Sequence, residues 1–204
     1  MFSLTLPACR YTGLHVYRTR RMWVVSARAD DVRRGYSLLT DPDAQQWFGW
    51  TQEQIGDYPR LPDGPVRDLR NIADVMRPDP NELYFIGIHR RSRRVATWTS
   101  LGRQENGSYQ VGVAVGPDFR GRRYGREGLR AVCSMAHRHF GIRDLTAGSE
   151  STNVPVSRVL AAAGFRRTDG PATHVLPNGR EISSVWWIRS ARLVRHACRW
   201  VPAS

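Results

Sequence analysis

Val111-Gly112-Val113-Ala114-Val115-Gly116-Pro117-Asp118-Phe119-Arg120-Gly121-Arg122-Arg123-Tyr124-Gly125 is the stretch whose reading decides the fold. It passes from an apolar strand through a proline into a turn rich in glycine and arginine. From Gly125 to Phe140, Leu129, Val132, Ala136 and Phe140 recur at helical spacing. Strand, basic glycine turn and helix form an arrangement that holds phosphate. Backbone N–H groups of the turn and of the helix N-terminus converge on the anion, and the helix dipole adds favourable charge.

Working downstream, Asp144 to Glu150 reads as the next strand, parallel to the first because a helix separates them. Thr152 or Asn153 caps the following helix, with Pro155 in its first turn and Gly164 just beyond its end. Phe165 to Arg167, Thr173 to Leu176 and Ile182 to Ile188 read as antiparallel strands, with Asn178-Gly179 turning between the last two. Upstream, Leu83 to His89 and Arg94 to Leu101 are strands joined by a polar turn, and Glu105 to Ser108 is a hairpin turn. Met22 to Ala27 is rich in strand formers. Helices are expected from Asp30-Asp31 to about Leu39, from Thr40-Asp41-Pro42 onward, and over Val66 to Met76. Residues 1–20 lack periodic order and read as an extension, 21–190 as one domain, and 191–204 as a basic tail.

A chain of 204 residues accommodates one domain with a sizeable core, and 41% hydrophobic with 24% charged residues is ordinary for a soluble protein. No apolar run approaches the ~20 residues that span a bilayer. The start, Met1 to Cys9, lacks a basic leader and a full apolar stretch, which argues against a signal peptide. Cys9, Cys133 and Cys198 show neither zinc spacing nor a disulfide framework, so no metal site and a reducing cytoplasm are expected. The 31 basic residues, all arginine, outnumber 18 acidic ones to give a net charge of +13. That charge favours anionic ligands. The arginines are scattered through the chain, whereas a nucleic-acid footprint needs them on one face.

The loop Arg120-Gly121-Arg122-Arg123-Tyr124-Gly125 resembles the acetyl-CoA-binding motif of the GNAT superfamily of N-acetyltransferases. The usual central glycine of that loop is Arg123 here, so the backbone at that position must tolerate a Cβ. Asn153 to Phe165, ending in Gly164-Phe165, is similar to the family's second signature. Its Arg158-Val159-Leu160 is closest to the branch of ribosomal-protein alanine N-acetyltransferases. The resemblance covers about residues 108–168 and implies an α/β fold: a mixed sheet flanked by helices, with two parallel strands splayed to form a slot for CoA.

The same resemblance assigns roles. Backbone groups of Val113, Ala114 and Val115 would meet the pantetheine arm, and an amide near Val113 would stabilise the oxyanion formed when an amine attacks the thioester. Arg120, Gly121, Arg122, Arg123, Tyr124, Gly125 and Arg126 would hold the phosphates, with Asn153 and Arg158 also at the cofactor. Acetyl-CoA is the implied co-substrate. The branch often has Glu-x-Gly at the start of the strand. This chain has Gln110-Val111-Gly112, and Gln110 can orient a water but cannot accept a proton. A Ser three residues after the Asn is replaced by Val156, and Leu160 stands where other branches place a Tyr acid. Glu150, at the end of the second slot strand, is then the carboxylate best located to act as base, ahead of Glu105 and His174. Ser149 and Tyr124 are candidate proton donors, Tyr124 more readily a packing residue. Trp47 and Trp50 would share a face of the second N-terminal helix and border the acceptor groove, or else fill the core beneath the sheet. Of Trp186 and Trp187, one indole should be core.

The leading expectation is an acetyl-CoA-dependent N-acetyltransferase working by direct amine attack, with a peptide or protein N-terminal amine as acceptor. A small antibiotic or metabolite amine is the alternative, and a non-catalytic CoA-binding regulatory module is another. Cys133 lies within the helix and is not expected to be a nucleophile. Nucleic acid is not an expected partner, a membrane is not, and a homodimer is compatible. Codon bias in a GC-rich genome accounts for the absent lysines. A functional reading is that an acetyltransferase without lysines cannot modify its own side chains.

Overall fold

A computed structural model describes residues 16–26, 38, 42–50 and 82–191. The helices expected at 30–39 and 66–76, and the basic tail after residue 191, lie outside the described residues. The elements are β1 (Val16–Arg18), β2 (Met22–Ser26), α1 (Pro42–Phe48), β3 (Glu82–His89), β4 (Val95–Arg103), β5 (Tyr109–Val115), α2 (Tyr124–Arg138), β6 (Asp144–Glu150), α3 (Val154–Ala162), β7 (Arg166–Thr168), β8 (Thr173–Val175) and β9 (Glu181–Ser190). A short 3-10 turn, Pro117–Phe119, joins β5 to the loop before α2.

The strands make one mixed sheet in the order β1-β2-β3-β4-β5-β6-β9-β7, with β8 paired to β9. All neighbours are antiparallel except β5 and β6, the pair separated by α2. β1 falls within the stretch read as an extension and pairs with β2 from Val16↔Val25 to Arg18↔Trp23. All three of its side chains are exposed, so no alternation of apolar and polar residues marks it in the sequence.

One face of the sheet packs against α2 and α3. Leu129, Val132 and Ala136, the apolar row of α2, are at most 1% exposed and meet Phe85, Leu145, Leu160 and Trp187. Phe140 lies just past the end of α2 and packs edge-on to Phe85 at 6.0 Å. The opposite face carries Ile86, Ile88, Trp98 and Ala114, covered by Leu38, Phe48 and Trp50. Side-chain alternation along β5 and β6 therefore sorts residues between a helix-pair face and an α1 face.

α1 stops at Phe48 because Gly49 takes a left-handed conformation, φ +60°, and donates to the Gln45 carbonyl at 2.8 Å. Trp47 and Trp50 thus do not share a helical face. Trp50 lies beyond the helix and packs 5.2 Å from Phe48 and 6.2 Å, edge-on, from Trp98. Trp47 stays half-buried on α1.

Candidate functional site

β5 and β6 pair only at Tyr109↔Leu145 and Gln110↔Thr146. Past that fork both strands continue, to Val115 and Glu150, without pairing, and a slot opens between them. Gly116 donates to the Ala96 carbonyl in β4 at 3.0 Å. The two-residue pleat then turns the N–H and C=O groups of Val113 and Val115 away from β4, into the slot. The Val115 carbonyl accepts instead from Arg120 Nε at 3.1 Å. By the same alternation Ala114 keeps its backbone polar groups in the β4 ladder, so of the three residues expected at the pantetheine arm, two present free edge groups. Gln110 sits at the fork itself.

The loop that follows is shaped for an anion. Gly121 has φ +69°, and Arg123, at the position of the usual glycine, has φ 65° and ψ 15°. A non-glycine residue in that region costs about 1–2 kcal/mol. Arg123 is the N-cap of α2 and gives no side-chain cap, so the first amides of the helix remain available to a ligand. A Cβ on Gly125 would come 2.8 Å from Val115 Cγ2, which shows how closely the loop is laid against β5. Tyr124 does not reach the slot with its ring. It is 8% exposed, packed 5.1 Å from Phe119 and capped by the Arg21 guanidinium at 3.9 Å. Arg122, Arg123 and Arg126 are exposed, and the last two line an open cavity of about 540 Å³ along α2 with Arg130, Arg189 and Tyr17.

The strain at Arg123 is held by two residues that the sequence did not single out. Arg21 donates from Nη1 to the Arg122 carbonyl at 2.8 Å and from Nε to Glu127 at 2.7 Å, while its backbone amide donates to the other Glu127 oxygen at 2.8 Å. Arg21 and Glu127 are 106 residues apart, with no local pattern to join them. Burial pushes the Glu127 carboxyl up, but hydrogen bonds from Thr19 and Arg21, and the Arg21 charge, outweigh it and bring it below its ordinary 4.5. A depressed carboxyl contributes stability that is fully present above its unfolded value and disappears as pH falls through the folded one. Glu127→Gln should therefore melt below wild type at pH 7, and the two curves should converge as pH drops below 4.5. Thermal melts across pH check this; a gap that persists into acid would show that charge is not what Glu127 supplies.

On the α1 face of the slot, Glu150 is 16% exposed and ion-paired to Arg180 at 3.0 Å. Its second oxygen accepts from Thr152 Oγ1 at 3.0 Å. Arg180 also donates to the Gln46 carbonyl of α1, so a single guanidinium links the β8–β9 turn, α1 and the end of β6. Ser149 points to the helix-pair face, as Leu145 and Ala147 do, and its buried hydroxyl has no partner among the described residues. Asn153 caps α3, accepting from the Val156 amide at 3.1 Å, and is 8% exposed. Val156 packs against the core and Arg158 is exposed. Glu105 occupies the β4–β5 turn, at the closed end of the slot, and His174 is exposed on β8. Cys133 is buried, and burial pushes its thiol from 9.0 up to about 11, which excludes it as a nucleophile.

The free edge of β5, the uncapped helix start, the arginines beside it and the unpartnered Ser149 hydroxyl together fit an extended ligand with a pyrophosphate. Among the described residues, no helix is long and apolar enough to cross a membrane. No curated protein matches the sequence. Solved structures do resemble the fold. Ribosomal-protein-S5-alanine acetyltransferase from Vibrio fischeri superposes with a TM-score of 0.66 at 13% identity, over 86% of this chain and 96% of that one. Ribosomal L7/L12 α-N-protein acetyltransferase in complex with coenzyme A gives 0.65 at 14%, over 86% and 98%. Spermidine N-acetyltransferase from Vibrio cholerae, in complex with CoA and spermine, gives 0.62 at 10%, over 84% and 96%. Residues 21–166 match the family model described as the acetyltransferase (GNAT) domain, so the chain belongs to the GNAT family of acetyltransferases, whose co-substrate is acetyl-CoA.

Proposed function

We propose that the protein transfers the acetyl group of acetyl-CoA to the N-terminal α-amine of a peptide or protein. The observation that carries this is the shortage of free base at the slot. Among the described residues the carboxylate at its α1 face is Glu150, and Arg180 and Thr152 already engage both of its oxygens. An α-amine has a reference pKa of about 7.7–8.0, against about 10.4 for lysine. At neutral pH on the order of a tenth of α-amines is already free base, against fewer than about one lysine in a thousand. A site with one tethered carboxylate suits the first and not the second.

In this reading the amine attacks the thioester carbon directly. A C–N bond forms, the C–S bond breaks, and its electron pair leaves with sulfur. The Val113 amide, turned into the slot, donates to the oxygen on which charge develops. Glu150 receives the amine proton through an ordered water, and the buried Ser149 hydroxyl faces the departing sulfur. Support for a protein acceptor comes also from the two ribosomal-protein acetyltransferases of similar fold. The test offers peptides with free or blocked N-termini, each with and without lysine, and locates the acetyl group by fragmentation mass spectrometry. Free N-termini should be acetylated at the α-amine alone. Acetylated lysine on blocked peptides, or rapid turnover of spermidine with no peptide modified, would overturn the reading.

A further inference from the structure

Trp186 has a place in the fold that packing alone does not require. Register pairs Gly148 with Trp186 and Glu150 with Ser184, so Trp186 lies on the α1 face of the sheet, the face that carries Glu150. Its neighbour Trp187 is 6% exposed in the core under α2 and α3. The Trp186 indole is fixed at both ends. Nε1 donates to the Pro171 carbonyl at 2.9 Å. A Cβ on Gly170 would stand 2.3 Å from Cγ, and one on Gly148 would stand 3.1 Å from Cη2. The pyrrole end is thus pinned against Gly170, while the benzo end rests on Gly148, two residues past the fork on the slot-side strand. The ring remains half-buried, with surface left to offer.

We propose that Trp186 is the acceptor-side wall of the slot and selects peptides whose first residue has a small, uncharged side chain. The proposal rests on the N-terminal amine reading above and goes beyond it to the side chain accepted. Size follows from spacing. The wall stands at Gly148, and the Arg180 bridge stands at Glu150. Two strand residues, at ~3.3 Å each, separate them by about 6.6 Å, room for a side chain such as alanine or serine but not leucine. Charge follows from Arg180, whose guanidinium borders the same space and repels a cationic first residue. The rigid indole gives the small side chain a flat apolar contact at little entropic cost, because Gly170 and Pro171 have already immobilised it.

The experiment measures kcat and KM with peptides of one sequence whose first residue is Ala, Ser, Leu, Trp or Arg, for wild type, Trp186→Ala, Trp186→Phe and Gly170→Ala. Wild type should prefer Ala and Ser. Trp186→Ala should raise KM for the Ala peptide about tenfold, the scale of a lost contact in an apolar pocket, and should narrow the gap to Leu. Trp186→Phe should restore most of the preference. Gly170→Ala, which displaces the ring from outside the slot, should shift KM in the same direction as Trp186→Ala. Acetyl-CoA affinity by calorimetry and the melting temperature should stay close to wild type in Trp186→Phe, separating the wall from folding. Unchanged KM and first-residue preference in Trp186→Ala, with wild type active on peptides, overturns the wall and leaves the α-amine reading intact. No peptide turnover by wild type overturns both.

Discussion

Glu150→Gln is expected to lower kcat about 10²-fold at pH 7, the lower end of the ~10²–10⁴ that a positioned base contributes. The lower end applies because Arg180 and Thr152 hold the carboxylate oxygens, leaving Glu150 to act through water and not by direct contact. The pH dependence separates chemistry from structure. Below the amine pKa of about 7.7–8.0 the bound acceptor arrives mostly as ammonium and needs its proton removed. Well above it the amine arrives free, and the deficit of the variant should shrink towards wild type. A loss of the same size at every pH would mean that the substitution merely loosens the Arg180 bridge. Arg180→Ala is the companion measurement: it removes the bridge but keeps the carboxylate, so its deficit should vary little with pH. Wild-type turnover in Glu150→Gln across the whole profile would remove Glu150 from the proton path.

What the sequence disclosed, and what it withheld, divides along the range of the interactions. Asn153 as a cap, Gly164 as a stop and the strand–loop–helix of Val111 to Gly125 depend on neighbours a few residues away, and the structure shows each where expected. The parallel pairing of β5 and β6 followed from chain connectivity. Arg21 and Glu127 were invisible, because a clamp between β2 and α2 leaves no periodic trace in either segment. The aromatic residues show the same limit. Trp47 and Trp50 are correctly spaced for one helical face, yet Gly49 ends the helix between them and sends Trp50 against Trp98. Trp186 and Trp187 alternate as any strand residues do, and only the glycines from two other segments show which indole borders the slot.

The phosphate loop carries the other large effect. Arg120→Glu and Gly121→Val should each weaken acetyl-CoA binding by at least about tenfold, since charge-assisted hydrogen bonds contribute ~1.5–3 kcal/mol and a tenfold change is about 1.4. They should do so for different reasons. Arg120 joins the end of β5 to α1, donating to the Val115 carbonyl and, from Nη1, to Asp43 at 3.2 Å. A glutamate there faces Asp43 and sets negative charge beside the incoming phosphates. Gly121 has open space around it, so a clash is not the issue. Its φ of +69° is the difficulty, because a β-branched residue is a genuine outlier in that region and the loop must reshape to accept it. Salt distinguishes the two mechanisms. The Arg120→Glu deficit, being electrostatic and partly exposed, should diminish as ionic strength rises from low salt to about 1 M, where the screening length falls to ~3 Å. The Gly121→Val deficit should hardly respond. Calorimetric titration with acetyl-CoA at two ionic strengths measures both, and unchanged affinity in both variants would place the pyrophosphate somewhere other than residues 120–126.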